Sequence, residues 1–248
     1  MGWFKMNKIK VSNVKEIPKK ELVISKNEDI ELNVGVKDAN YQILVKEDAK
    51  CNVWITGSHT NLRVEIIENK NSQVQISSFL ENSNCQIEID LNGEEATANF
   101  SYSILSQKDS RNKITVFHNA SNTKSKVICN GLSDQKAPII LDVNGYIPKS
   151  SKNCSCNQDS RILELENSTS EIHPNLYIEN YEVEASHSAY IGPFKKEELF
   201  YLESRGIPEK EATGLLVKSL LLGKLSLNEK QKSELIEKIE GKQLVGEK

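Results

Sequence analysis

Cys154 and Cys156 flank Ser155, and this is the closest spacing among the five cysteines of the 248-residue chain. On an extended strand successive side chains leave opposite faces, so both thiols would share one face. Two thiols so placed suit one iron–sulfur cluster or one soft metal ion. Cys51, Cys85 and Cys129 stand alone in alternating apolar–polar runs, where a thiol packs as a small hydrophobe. An odd count at irregular spacing makes a poor disulfide framework and fits a reducing compartment. Of the four histidines, His187 sits at the centre of the alternating run EASHSA. His173 precedes Pro174 at the start of a strand and is expected to cap a turn, while His59 and His118 fall in corner-like contexts expected to be solvated loops. Glu65, Glu68, Glu88 and Asp90 are among many carboxylates, none in a motif that argues for a general acid–base pair. No Gly-rich phosphate loop, G-x-S-x-G elbow or H-E-x-x-H helix occurs, so the chain is not expected to hydrolyse ATP.

The elements that must carry these residues are mostly short strands. Between Leu22 and Ser188 the runs ELVIS, IELNV, YQILV, NVWIT, LRVEI, QVQIS, QIEID, NFSYSIL, KITVF, SKVIC, PIILDV, RILELE and LYIENYEV keep the two-residue period of half-buried strands. They recur about every 10 to 12 residues, with polar corners and no helical segment between them. A sandwich, a barrel and a β-solenoid all fit that pattern. Asn-rich corners, even spacing and the scarcity of two-residue hairpin turns favour the solenoid, since Asn tolerates left-handed backbone and stacks into ladders. Val53, Ile55, Val64, Ile66, Val74, Ile76, Ile87 and Ile89 are then expected to form layers of one continuous core. After His187 the period changes to helical. A first helix spans about residues 195–205 and ends at Gly206, a second starts at Pro208 and carries Leu215 through Leu222, and a third opens at Ser226 and runs toward Ile239.

Bulk composition narrows the function classes. Thirty-two basic against 35 acidic residues give a net charge of −3, which provides no global field for nucleic acid or an anionic membrane. No apolar run approaches the roughly 18 residues of a membrane span. The start, MGWFKMNKIK, has no secretory apolar region, and Met6 stands where a myristoylation motif wants Ser or Thr. A cytoplasmic protein binding neither membrane nor nucleic acid is expected.

From Pro174 through Leu222 the chain resembles the C-terminal signature of the SufB/SufD family, the scaffold proteins of iron–sulfur cluster assembly. PNLYIENYEVEASHSA lies without gaps on the family pattern of proline, alternating strand and S-H-x-A, and EELFYLESRGIPEKEATGLLVKSLL continues it through L-F-Y-L and R-G-I. The segment is closer to SufD, because SufB has E-H-E-A where this chain has Ser186-His187-Ser188-Ala189. The resemblance implies a mainly β fold: a right-handed parallel β-helix over residues 21–192, after a lead at 1–20, followed by a small C-terminal α-helical domain at 193–248. It also implies a core-only form without the family's N-terminal helical domain.

The same resemblance implies roles. His187 matches the family histidine at the interface between paired scaffold subunits, as a cluster or metal ligand. The essential SufB cysteine precedes an Asp-Ser pair, and here Gln158 takes its place before Asp159-Ser160. Cys154 and Cys156, on the same face one strand step away, are the cluster-binding candidates. Otherwise this is the SufD-like half without a thiol ligand, or a self-pairing scaffold. The second helix is expected to close the end of the β-helix. Phe200, Arg205, Leu215 and Leu216 are candidates for binding SufC, the ABC-type ATPase. The implied protein is not an enzyme but a homodimeric or heterodimeric scaffold that holds an iron–sulfur cluster transiently. The competing readings are a β-helix carbohydrate-active enzyme and another β-fold binding module.

Overall fold

A computed structural model describes residues 6–11, 20–166 and 168–242. Its strands pair in parallel throughout and form two sheets, between which the chain alternates. One sheet carries the odd-numbered strands in order: β1 (Met6–Val11), β3 (Glu28–Val34), β5 (Lys50–Ser58), β7 (Gln73–Glu81), β9 (Thr97–Ser106), β11 (Lys124–Ser133), β13 (Cys154–Glu164) and β15 (Val183–Gly192). The other carries β2 (Lys20–Ile24), β4 (Asp38–Val45), β6 (Asn61–Glu68), β8 (Asn84–Leu91), β10 (Ser110–His118), β12 (Ile139–Ile147) and β14 (Glu171–Ile178). This is a β-solenoid. The segment read as a lead thus contributes β1, which pairs with β3.

The corners explain why the chain coils instead of folding back. Asp48, Asn71, Glu95, Asn122 and Asn153 all take positive φ, and each amide donates to a backbone carbonyl one coil further on, as in Asn71 N to Glu94 O at 2.8 Å. Side-chain amides repeat the step: Asn84 donates to Asn61 at 2.9 Å and Asn61 to Asp38 at 2.8 Å. The repeat is 23 residues in the early coils and lengthens to 27 and then 31. Inward-facing residues stack coil upon coil, and the eight valines and isoleucines expected in the core are all buried there. Burying each such side chain contributes roughly 1.5–3 kcal/mol, which offsets the entropy of ordering the coils.

Three helices follow: α1 (Lys196–Glu203), α2 (Glu209–Leu222) and α3 (Glu229–Glu240). They do not close the end of the solenoid. Trp54, Phe79, Leu105, Leu132 and Leu163 make an apolar patch on the outer face of the odd-strand sheet, and Val217, Leu220, Leu221, Leu222, Leu235 and Ile239 pack on it. Ser103 donates to the Leu221 carbonyl at 2.6 Å, and Ser77 accepts from the Ser226 amide at 3.0 Å. Glu81 is held by Lys238 at 3.0 Å and by Lys242. The end-capping expectation fails because five large outward side chains, one from each of five neighbouring strands, give the leucines a continuous apolar face along the sheet. At the last coil Tyr177, Ile178, Tyr181 and Ile191 remain exposed.

Candidate functional site

The open end of the solenoid is where the sequence candidates meet. In the register of the odd-strand sheet, one inward column runs Ile30, Val53, Ile76, Phe100 and Val127. The next two members are Gln158 and His187. An apolar column therefore becomes polar in its last two layers. Ser186 and Ser188, on either side of His187, face outward and donate to Asn157 at 2.7 Å and Asp159 at 2.6 Å. Alternation then aims His187 along the interior column, and it is exposed because β15 is the terminal strand of its sheet.

Gln158 fills the layer beneath. It is buried, its Nε2 donates to the Asn175 carbonyl at 3.3 Å, and its Oε1 has no partner. Room for it comes from Gly145 on the facing strand, where a Cβ would lie 2.5 Å from Cys156 Sγ and 3.2 Å from Gln158 Nε2. His187 and Gln158 are thus direct neighbours across β13 and β15. Nothing in the spacing of these two residues along the chain signalled that contact.

Cys154 and Cys156 do share the inward face, as their spacing implied, but both are sealed at 1% exposure. They sit one coil behind Val183 and Ala185. Burial pushes the Cys156 thiol up, a hydrogen bond with Ser125 opposes this, and Cys154 adds to the rise. Cys51, Cys85 and Cys129 are buried in the core as expected. Burial pushes Cys51 and Cys85 up to about 12.

Two histidine expectations are corrected. His118 is no loop residue: it ends β10, points inward and is fully buried. Its Nδ1 lies 2.8 Å from Thr123 Oγ1 and its Nε2 2.9 Å from Ser125 Oγ. Thr123 Oγ1 donates to the Ala120 carbonyl, so Nδ1 carries the hydrogen and Nε2 accepts from Ser125. Thr123 also lies 3.3 Å from Cys154 Sγ, so one neutral imidazole is linked through two hydroxyls to both thiols. Burial drives His118 down to about 4. The polar neighbour Asn119 gives this strand end the composition of a corner. His173 lies near the start of β14, as expected, but caps no turn there; it sits between Asp142 at 2.7 Å and Glu171 at 3.2 Å.

The partner-binding candidates lie on the helical tail. Phe200 is 71% exposed, and α1 has no buried residue. Tyr201, not singled out in the sequence, is also open, and the Arg205 guanidinium lies 5.2 Å from its ring. Leu215 is exposed and Leu216 half-buried on α2. The tail is tied to the open end: Arg161 of β13 makes two hydrogen bonds to Glu198 of α1, at 2.8 and 3.2 Å, and lies 5.4 Å from the ring of Tyr190 on β15. This bidentate geometry holds the Glu198 carboxyl below its ordinary range.

Among the described residues no three or more His, Cys, Asp and Glu side chains converge to hold a metal ion. His187 can offer one nitrogen at the open end, and the thiols behind it need the last coil to shift before they can bind anything. No helix among the described residues is long and apolar enough to cross a membrane.

The family described as SUF system FeS cluster assembly, SufBD core domain, matches residues 19–220. The chain is similar to an iron–sulfur cluster assembly SufBD family protein of Staphylococcus aureus (strain USA300), at 32% identity over 103 residues, covering 41% of this chain and 22% of that protein. It is also similar to the iron–sulfur cluster assembly protein SufD of Bacillus subtilis (strain 168), at 30% identity over 107 residues, 43% of this chain and 24% of that one. The aligned stretches span about a quarter of the length of these relatives.

Proposed function

This chain belongs to the SufBD family of the SUF iron–sulfur cluster assembly system, and from that premise we propose that it is a scaffold subunit on which a cluster is built as cargo and then handed on. The observation that carries the reading is the interior column that turns from apolar to polar at Gln158 and ends on an exposed imidazole at the open end. β14 and β15 are the terminal strands of their sheets among the described residues, and such edges recruit another strand. A second SufB/SufD-like subunit, the same chain or a different one, would pair there and bring further ligands to His187. Neutral imidazole is a competent iron ligand. Cys154 and Cys156 would join only in a state that displaces Val183 and Ala185.

The exposed Phe200 and Leu215, with Arg205 and Leu216, would dock a SufC-like ABC ATPase, an apolar anchor in a partner groove being a common mode. Arg161–Glu198 lies between that surface and β15, so nucleotide-driven movement of α1 would reach the His187 strand. Assembly of this kind belongs in the cytoplasm, where the five free thiols stay reduced. The test is co-purification with the SufC-like ATPase of the same genome, using the chain and its Phe200→Asp and Leu215→Asp variants, alongside anaerobic reconstitution with iron and sulfide for the chain and its His187→Ala variant. The reading requires association that both surface changes abolish and a visible cluster absorption that His187→Ala diminishes. No association by the unaltered chain would refute the docking role, and equal spectra for both proteins would remove His187 as ligand.

A further inference from the structure

The outer face of the even-strand sheet carries a row that neither the cluster site nor the docking tail uses. Register places Val23 beside Leu44, Leu44 beside Ile67, Ile67 beside Asp90, Asp90 beside Phe117, Phe117 beside Tyr146 and Tyr146 beside Tyr177. One side chain from each strand thus makes a single line down the sheet. Its last three rings stack, with centroids 4.9 and 4.4 Å apart. The row is open: Val23 is 52% and Tyr177 48% exposed, and the five between them are partly exposed.

The same molecule shows what such a row does when it is covered. On the odd-strand sheet, outward Trp54, Phe79, Leu105, Leu132 and Leu163 are buried by α2 and α3. The even-strand row spans six strand steps of about 4.8 Å, roughly 29 Å in all. That length matches a helix of about 19 residues at 1.5 Å each.

Charge says which helix. The one charged member of the row is Asp90, and Glu88 and Glu65 stand on the row beside it. Burial, then Glu88 and Glu65, push the Asp90 carboxyl up to about 6. Arg63, one row further out, donates to Gln86 at 2.7 Å. A partner seated here gains by bringing cations against Glu88 and Asp90, and the stacked rings offer π faces to the same cations.

We propose that this face of the even-strand sheet docks an amphipathic α-helix of another protein, with an apolar edge along Leu44, Ile67, Phe117 and Tyr146 and Lys or Arg beside it facing Glu88 and Asp90. The proposal is independent of the cluster reading, because the row lies on the outside of the sheet opposite the helical tail.

The probe is a fluorescein-labelled 19-residue helical peptide with Leu at every third or fourth position and Lys elsewhere, compared by anisotropy with a twin in which Glu replaces Lys. The Lys peptide should bind at least about 10-fold more tightly than the Glu peptide. The Tyr146→Ser/Tyr177→Ser variant, altered at half-open positions that leave the core intact, should weaken it roughly 10-fold, and Glu88→Gln/Asp90→Asn by several-fold. Equal binding of the two peptides, or unchanged affinity in both variants, would overturn the proposal. So would sedimentation showing that the chain self-associates and that Tyr146→Ser/Tyr177→Ser abolishes this, since a second copy would then be the occupant.

Discussion

His118 makes the folded chain sensitive to acid in a way that can be worked out from its surroundings. The imidazole is fully buried between Thr123 and Ser125 and is held neutral, with burial lowering it from 6.5 to about 4. In the unfolded chain it titrates near 6.5, so between these values the unfolded state binds the extra proton. The folded pKa is depressed. The stability tied to the neutral ring is therefore complete above about pH 6.5 and drains away as pH falls toward 4. A fall from 6.5 to about 4, at about 1.36 kcal/mol for each tenfold loss of proton affinity, amounts to about 3 kcal/mol, of which about 2 kcal/mol is gone by pH 5.

Other groups titrate in the same range, so the useful quantity is a difference between two proteins. His118→Gln has an acceptor and a donor on one terminal amide and cannot place them where the two ring nitrogens meet Ser125 and Thr123, so one hydrogen bond is lost, costing about 1–3 kcal/mol at pH 7.5. It carries no titrating group, so its deficit against the unaltered chain should shrink by about 2 kcal/mol when both are unfolded in urea at pH 5. A deficit of the same size at pH 7.5 and pH 5 would mean that His118 is not buried neutral, and the network linking it to Cys154 and Cys156 would have to be abandoned.

Glu68 is the opposite case: burial raises its carboxyl well above the ordinary range, against a hydrogen bond from Ser72, and Oε1 has no partner. Its folded pKa is raised, so it costs stability as pH rises above the unfolded value, and Glu68→Gln should raise the melting temperature at pH 8 with a gain that vanishes toward pH 4. At Glu81 burial works upward, but the Lys242 and Lys238 contacts outweigh it and lower the carboxyl. That contribution is present above the unfolded carboxylate pKa and lost as pH falls through the folded one, so Glu81→Gln should speed hydrogen exchange across α3 at pH 7 and make little difference at pH 3. Gly145→Ala would force a Cβ to 2.5 Å from Cys156 Sγ and should cost about 1–3 kcal/mol in urea unfolding, a loss that Cys156→Ala relieves in the double variant.

Much of this was legible in the residues. The two-residue alternation named the strands, the Asn corners pointed to coiling, and Asn71, Asn82, Asn122 and Asn153 do take the left-handed backbone those corners need. The first two helices follow from Gly206, Pro208 and the run of leucines, whereas the third, expected to open at Ser226, starts at Glu229 behind an Asn228 cap. Alternation likewise put Cys154 and Cys156 on one face. It could not say whether that face looked into the core or toward a ligand, because period two is the same for both.

What the sequence determined by itself is the periodic part, since helix and strand spacing express contacts between near neighbours, and the SufB/SufD signature, which is a local string. Only the tertiary structure decided that Gln158 lies against His187, that His118 is bound to both thiols through hydroxyls, that the leucine-rich helix covers a sheet face instead of the open end, and that seven scattered side chains from Val23 to Tyr177 make one row. Each of these joins residues far apart along the chain or layers stacked on one another, and the coil length changes from 23 to 31 residues. Stacking register is set by how corners of unequal length close on the layer beneath, a balance of many weak contacts that no short stretch of residues encodes.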